Sequence, residues 1–209
     1  RLRACDRALA PHFAGSVIDE LHASPERSRL DRSDVVQPVL WAVTVALAGQ
    51  WRAWGVVPDA VVGHSMGEIA AACVAGIFEL DHALRFIATR GELMDSAPGP
   101  GEMLAVFAPR GRVEEQLARG PGPAVIAAIN GEERLVISGA RQAIREHAAA
   151  FERRGITTRL LQIALASHSP LMEPIVPALA RAAAIPHAAA RVPMFLNVEG
   201  RVLGAGDAL

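Results

Sequence analysis

Residues 61–68 read Val-Val-Gly-His-Ser-Met-Gly-Glu, and they constrain this chain more than any other stretch. An apolar run ends in Gly-x-Ser-x-Gly, and an amphipathic segment, 69–76, follows at once. That is the layout of a nucleophile elbow, a tight strand-to-helix turn that lifts one serine clear of a sheet and aims the next backbone N–H at a forming oxyanion. Ser65 is the candidate nucleophile and Met66 the candidate oxyanion donor. Gly63 and Gly67 fit the same reading, because a side chain at either position is expected to crowd the turn.

A strand–turn–helix of this kind belongs to an α/β fold, and the flanking segments agree. Residues 38–54 carry apolar residues at helical spacing, open on proline and stop at Gly55, which predicts a helix feeding a strand at 60–63. Helices are expected at 68–74 and 81–94, after which Pro98-Gly99-Pro100-Gly101 breaks the chain. The grammar then changes. Strands are expected at 103–107, 124–129, 135–138 and 157–163, with helices at 112–119 and 140–154. The order β-α-β-β-α-β is the ferredoxin-like pattern. A helix at 171–184 and a strand at 192–198 return to the first sheet. The expected architecture is an α/β-hydrolase-like parallel-sheet core, residues 1–100 and 166–209, carrying a ferredoxin-like insert at 101–165.

Composition narrows the chemistry. Among 209 residues there is no lysine and no tyrosine, so Schiff-base chemistry, a P-loop and a Tyr-Lys proton relay are excluded. A net charge of -1 with no basic run gives no reason to expect nucleic acid. Arg27, Arg29 and Arg32 alternate with Glu26 and Asp31, which reads as a solvated loop. No apolar stretch reaches membrane-span length and 1–11 lacks the apolar core of a secretory signal, so a cytoplasmic protein is expected, with no membrane partner. Cys5 and Cys73 lie far apart without a CxxC partner, which supports neither a disulfide framework nor a zinc knuckle.

A nucleophilic serine needs a base, and seven histidines compete: His12, His22, His64, His82, His147, His168 and His187. His64 should point to the opposite side of the elbow, and His82 and His147 read as solvent-facing helix positions. His12 and His22 lie in a polar N-terminal stretch. His168, in Ala-Ser-His-Ser-Pro, follows the insert at a strand-to-helix junction, where α/β folds place catalytic groups. Position alone leaves the others open.

Gly-His-Ser-Met-Gly-Glu-Ile-Ala-Ala-Ala, then Ala-Thr-Arg-Gly-Glu-Leu-Met, then Ala-Ser-His-Ser-Pro-Leu-Met-Glu-Pro resembles the acyltransferase domain of modular polyketide synthases and the related malonyl-CoA:acyl carrier protein transacylases. Asp34-Val35-Val36-Gln37-Pro38 and Ala127-Ala128-Ile129-Asn130-Gly131 extend the resemblance over nearly the whole chain. It implies that Ser65 carries a covalent acyl ester, that His168 is its base, and that Arg90 pairs with the free carboxylate of a malonyl-type unit. A planar guanidinium suits that task because it grips a carboxylate bidentately and keeps its proton. Gln37, His64, Asn130, Leu165 and Ser167 are the further substrate-binding positions so implied. No cofactor is expected to be bound. The implied substrates are an acyl-CoA and the phosphopantetheine thiol of an acyl carrier protein, with a ketosynthase and other domains as partners in one polypeptide.

Ser167 before the base leaves room for an α-substituent, and Asp34-Val35-Val36-Gln37 looks like the methylmalonyl group of the family, whereas Met66 does not; methylmalonyl is favoured and malonyl is the alternative. Members of the family begin with a strand carrying Gly-Gln-Gly-x-Gln and extend beyond the strand around Asn197, so an internal piece of a domain is expected, weakly active or insoluble by itself. The rival readings are a serine esterase of the α/β-hydrolase kind and an inactive carrier-docking domain.

Overall fold

The computed structural model describes residues 1–162 and 165–208. In chain order the helices are α1 (Leu2–Leu9), α2 (Val17–His22), α3 (Ser33–Ala53), α4 (Gly67–Ala75), α5 (Leu80–Asp95), α6 (Arg110–Arg119), α7 (Arg141–Arg153) and α8 (Val176–Ala183). The strands are β1 (Val61–Val62), β2 (Gly101–Val106), β3 (Ala124–Ile129), β4 (Leu135–Ala140), β5 (Thr158–Leu160), β6 (Met194–Leu196) and β7 (Arg201–Leu203). The chain divides into two compact units, Arg1–Leu93 with Leu179–Leu209, and Met94–Ala178. By this division His168 falls in the second unit, where the sequence reading had placed it in the first.

In the first unit β6 lies between β1, to which it is parallel, and β7, to which it is antiparallel. The sheet is therefore mixed, and β7 was not anticipated. Helix α4 lies on it through Ala71, Ala72 and Ala75 against Met194, Leu196 and Leu203; small side chains let helix and sheet approach closely. On the other side α3 and α5 bury Val39, Trp41, Leu84 and Ile87.

Three expectations in this unit are corrected. The N-terminal stretch is not wholly polar, since α1 and α2 turn Cys5, Leu9 and Val17 into the same core. Arg29 is not simply solvated; its guanidinium pairs with the buried Glu20 and donates to the Ala14 carbonyl, tying the loop to α2. Helix α3 starts at Ser33 rather than at Pro38, which lies inside it. Proline normally breaks a helix interior because it lacks the N–H. Here burial of Ser33, Val35 and Gln37 in the turn before it outweighs that loss.

The second unit runs β2-α6-β3-β4-α7-β5, with sheet order β3-β4-β2-β5 and every pairing antiparallel. Leu104 faces Ile137 across one ladder and Leu160 across the other. One face packs under α6 and α7 around Leu104, Val106, Val113, Ile137, Ile144 and Phe151. The expected strand at 157–163 is observed as Thr158–Leu160, and its end at Ile163 lies outside the described residues. The expected helix at 171–184 is split into a 3₁₀ helix, Pro170–Ile175, followed by α8. Pro170 opens the first turn, where its missing N–H costs nothing, whereas Pro174 inside it removes the donor that an i→i−4 bond would need. His147 is also corrected: it is fully buried on the inner face of α7, with neither ring nitrogen hydrogen-bonded among the described residues.

Candidate active site

The elbow forms as its composition requires. Ser65 has φ 54°, a left-handed conformation that costs a residue with a Cβ roughly 1–2 kcal/mol. Successive 3₁₀-type bonds hold it, Gly67 N–H to the His64 carbonyl at 2.9 Å and Glu68 N–H to the Ser65 carbonyl at 3.0 Å. Gly63 is obligatory, because a Cβ there would overlap the Gly67 carbonyl and the Glu68 nitrogen. Gly67 is not, contrary to the sequence reading: outside its own helix backbone nothing lies within 4 Å of a Cβ added there. Met66 is the N-cap of α4 and its N–H has no backbone acceptor among the described residues, as an oxyanion donor requires.

A clasp that the sequence did not reveal closes the elbow from β6. Asn197 donates its side-chain amide to the Gly63 carbonyl and its backbone N–H to Glu68 Oε1 at 2.8 Å. The partners are 129 and 134 residues apart, and no spacing rule links them.

Helix α5 delivers Arg90 to the same turn. One terminal nitrogen donates to Ser65 Oγ at 3.2 Å and the other to the Gln37 side-chain oxygen on α3. The guanidinium is half-buried, and burial pushes its pKa down. Among the described residues no carboxylate forms an ion pair with it. A guanidinium is thus held beside the Ser65 hydroxyl and anchored by a neutral amide, and such a planar cation has the chemistry to grip a carboxylate.

In the second unit His168 has φ 58°, and it and Ser65 are the two non-glycine residues with positive φ among those described. Its turn is held from both sides. Ser169 is buried, donates Oγ to the Ala166 carbonyl at 2.7 Å and accepts from Leu171 N–H at 3.3 Å, capping the 3₁₀ helix. Ala166 packs against Gly101 so closely that a Cβ on that glycine would overlap it. The His168 side chain is left exposed at the crest.

The acyl transferase domain family matches residues 1–203. The chain belongs to the acyl transferase domain family. It is 46% identical over its full length to the spectinabilin polyketide synthase system protein NorA' of Streptomyces orinoci, spanning 6% of that protein. It is 44% identical over 83% of its length to the erythronolide synthase EryA2 of Saccharopolyspora erythraea, spanning 5% of it. Among solved structures it is similar to the acyltransferase domain from module 8 of the salinomycin polyketide synthase, with TM-score 0.90 and 39% identity over 99% of this chain and 49% of that one. It also resembles the malonyl-CoA:acyl carrier protein transacylase FabD of Xanthomonas oryzae pv. oryzae, with TM-score 0.88 and 31% identity over 96% of this chain and 66% of that one. The chain thus spans a small fraction of these synthases and about half of the salinomycin domain.

The remaining candidate positions of this acyl transferase domain distribute as follows. Leu165 and Ser167 are partly exposed on either side of the buried Ala166. Asn130 is exposed in the loop between β3 and β4, where its N–H bonds the Arg134 carbonyl at 2.7 Å. His64 is exposed and lines a cavity of about 640 Å³ bounded by Trp51, Val62 and Val74, apart from the Arg90–Gln37 pair. Among the described residues no helix is long and apolar enough to cross a membrane. No group of three or more His, Cys, Asp or Glu among them is placed to hold a metal ion.

Proposed function

We propose that the chain transfers a malonyl-type unit from coenzyme A through an ester on Ser65 to the phosphopantetheine thiol of an acyl carrier protein, in the cytoplasm and within a polyketide synthase. The observation that carries this reading is Arg90: a half-buried guanidinium without a carboxylate partner among the described residues, 3.2 Å from the elbow hydroxyl. A hydrolase of simple esters has no use for a fixed cation at that place. An acyl unit with a second carboxylate has.

In this mechanism His168 removes the Ser65 proton as Oγ attacks the thioester carbonyl, and Met66 N–H donates to the oxyanion. The tetrahedral adduct expels the coenzyme A sulfur, which takes the proton from His168, and the acyl group remains on Oγ. The carrier thiol then gives its proton to His168, attacks the ester, and restores the Ser65 hydroxyl. Arg90 grips the distal carboxylate throughout and fixes the ester carbonyl against Met66. No resident cofactor is needed, since every proton has a named carrier.

Ser167, a small side chain before the base, favours methylmalonyl over malonyl; one methyl group is worth about 1–3 kcal/mol of discrimination. We infer that the second unit is a ferredoxin-like subdomain, an assignment supported by its sheet order, and that the first is an α/β-hydrolase-like core supported by the elbow geometry. Asn130 and Leu165 are proposed to line the acyl and pantetheine path, and a ketosynthase and carrier domain to share the polypeptide. The test is mass spectrometry of the protein after incubation with methylmalonyl-CoA, then with a phosphopantetheinylated carrier protein. An acyl adduct on Ser65 that moves to the carrier thiol is expected. No adduct, or release chiefly as free acid, refutes the proposal.

A further inference from the structure

We propose that Gln37 is a positioning residue that keeps Arg90 an oriented, unneutralised cation before Ser65, and that its electrical neutrality makes the site prefer acyl units with a second carboxylate over those without. This rests on the acyl-Ser65 reading above and goes beyond it in assigning the preference to a residue that Arg90 leans on.

The geometry is local to the first unit. The buried Gln37 amide oxygen accepts from one end of the Arg90 fork, and the other end is aimed at Ser65 Oγ. An amide oxygen satisfies a guanidinium N–H and fixes its plane without cancelling its charge; a carboxylate at the same spot would form the ion pair that the substrate is meant to form. The nearest acid on α3, Asp34, lies one turn before Gln37 and is kept occupied. Arg32 grips both its oxygens, Nε to Oδ1 at 3.0 Å and a terminal nitrogen to Oδ2 at 2.6 Å, and holds its carboxyl below the usual carboxylate range.

The reach between the helices is equally specific. Gly91 follows Arg90, and a Cβ there would lie 2.7 Å from the Ser33 carbonyl oxygen and 3.0 Å from Asp34 Cα, so α5 and α3 touch backbone to backbone beside the pair. At that separation a side chain of glutamine length spans the gap. Burial also pushes the Arg90 pKa down, which marks a charge that water does not fully solvate and that a substrate carboxylate would relieve.

The test compares Gln37→Glu and Gln37→Met, two near-isosteric changes of opposite electrical meaning. For each, and for the wild type, kcat/KM for Ser65 acylation is measured with methylmalonyl-CoA and with propionyl-CoA, and binding of malonate is followed by calorimetry. The wild type should favour the carboxylated ester. In Gln37→Glu the ratio of the two should fall about 100-fold, or about 2.7 kcal/mol at 1.36 kcal/mol per tenfold, with malonate binding lost. In Gln37→Met, where charge stays but the anchor goes, the ratio should fall about tenfold. Should Gln37→Glu not fold, the Gln37→Met ratio decides alone, and a value within twofold of wild type overturns the inference. Equal effects of the two variants, or a Gln37→Glu ratio within threefold of wild type, overturn it while leaving the acyl-Ser65 reading intact. A wild type that esterifies Ser65 with neither ester overturns that reading first.

Discussion

His147 gives the second unit an acid sensitivity that a pair of substitutions can isolate. Its ring is fully buried between Ile144 and Phe151, and neither nitrogen finds a partner among the described residues. Burial pushes its pKa below the ordinary histidine value, opposed only by the charge of Glu146. The folded state therefore binds the proton less readily than the unfolded state, and stability is lost as pH falls below the unfolded value of about 6.5. Between pH 7.5 and 5.5 one such group removes at most about 1.4 kcal/mol.

That cover is Gly120. Its backbone, φ -90° and ψ 171°, is open to any residue, yet a Cβ there would overlap the His147 ring. Gly120→Ala should thus cost about 1–3 kcal/mol in the wild type and much less beside His147→Ala, a coupling of at least about 1 kcal/mol. The assay is urea unfolding at pH 7.5 and 5.5, followed at once by far-UV circular dichroism and by tryptophan fluorescence. Trp41, Trp51 and Trp54 all lie in the first unit, so fluorescence serves as the internal control. A pH dependence of the second unit that survives His147→Leu, or a Gly120→Ala cost equal in both backgrounds, would falsify this account.

Three shorter expectations follow. Gly63→Ala should open the elbow and slow labelling of Ser65 by a fluorophosphonate at least about 100-fold, because a misplacement near 1 Å has that effect on a nucleophile; unaltered labelling would contradict the overlap with the Gly67 carbonyl. Ser169→Ala removes the bond to the Ala166 carbonyl and the cap on Leu171, and should lower stability by about 1 kcal/mol and flatten the acidic limb of the acylation pH profile, where the proposed His168 base protonates, with Ser169→Thr restoring both. Burial pushes the Cys73 thiol up to about 12, so iodoacetamide at pH 8 should modify it only after unfolding; rapid alkylation of the native protein counts against the packing of this face of α4 on the α3–α5 core.

The elements that the sequence revealed are those whose cause is local. The elbow announces itself through glycine spacing, α5 and α7 through apolar periodicity, and β3 through an apolar run bounded by turn residues. What it concealed depends on distant segments. Helices α1 and α2 are too short to read by period and exist because α3 covers them. The start of α3 was misplaced because a local rule about proline was overridden by burial of Gln37. His147 was misread although its signal was present: Ala143, Ile144, His147 and Phe151 form one stripe on α7, and the histidine occupies the middle of it. The Gln37–Arg90 pair spans 53 residues and the Asn197 clasp 134, separations at which chain spacing carries no information.

Strain, present at one turn in each unit, belongs to both classes. A left-handed serine or histidine is unfavourable by itself, so local sequence argues against it, and it persists only when neighbours over-determine the turn. In each unit the over-determination is visible. Around Ser65 it comes from two 3₁₀ bonds, the close contact at Gly63 and the Asn197 clasp; around His168 from Ser169 and the Ala166–Gly101 contact. Two such penalties together come to roughly 2–4 kcal/mol, a sizeable share of a typical domain's net stability. Packing alone gives no reason to retain them, since glycine would adopt either conformation without the Cβ penalty. The acyl transfer proposed above would use one hydroxyl and one imidazole as its reacting groups, and Ser65 and His168 are the two non-glycine residues in left-handed turns among those described.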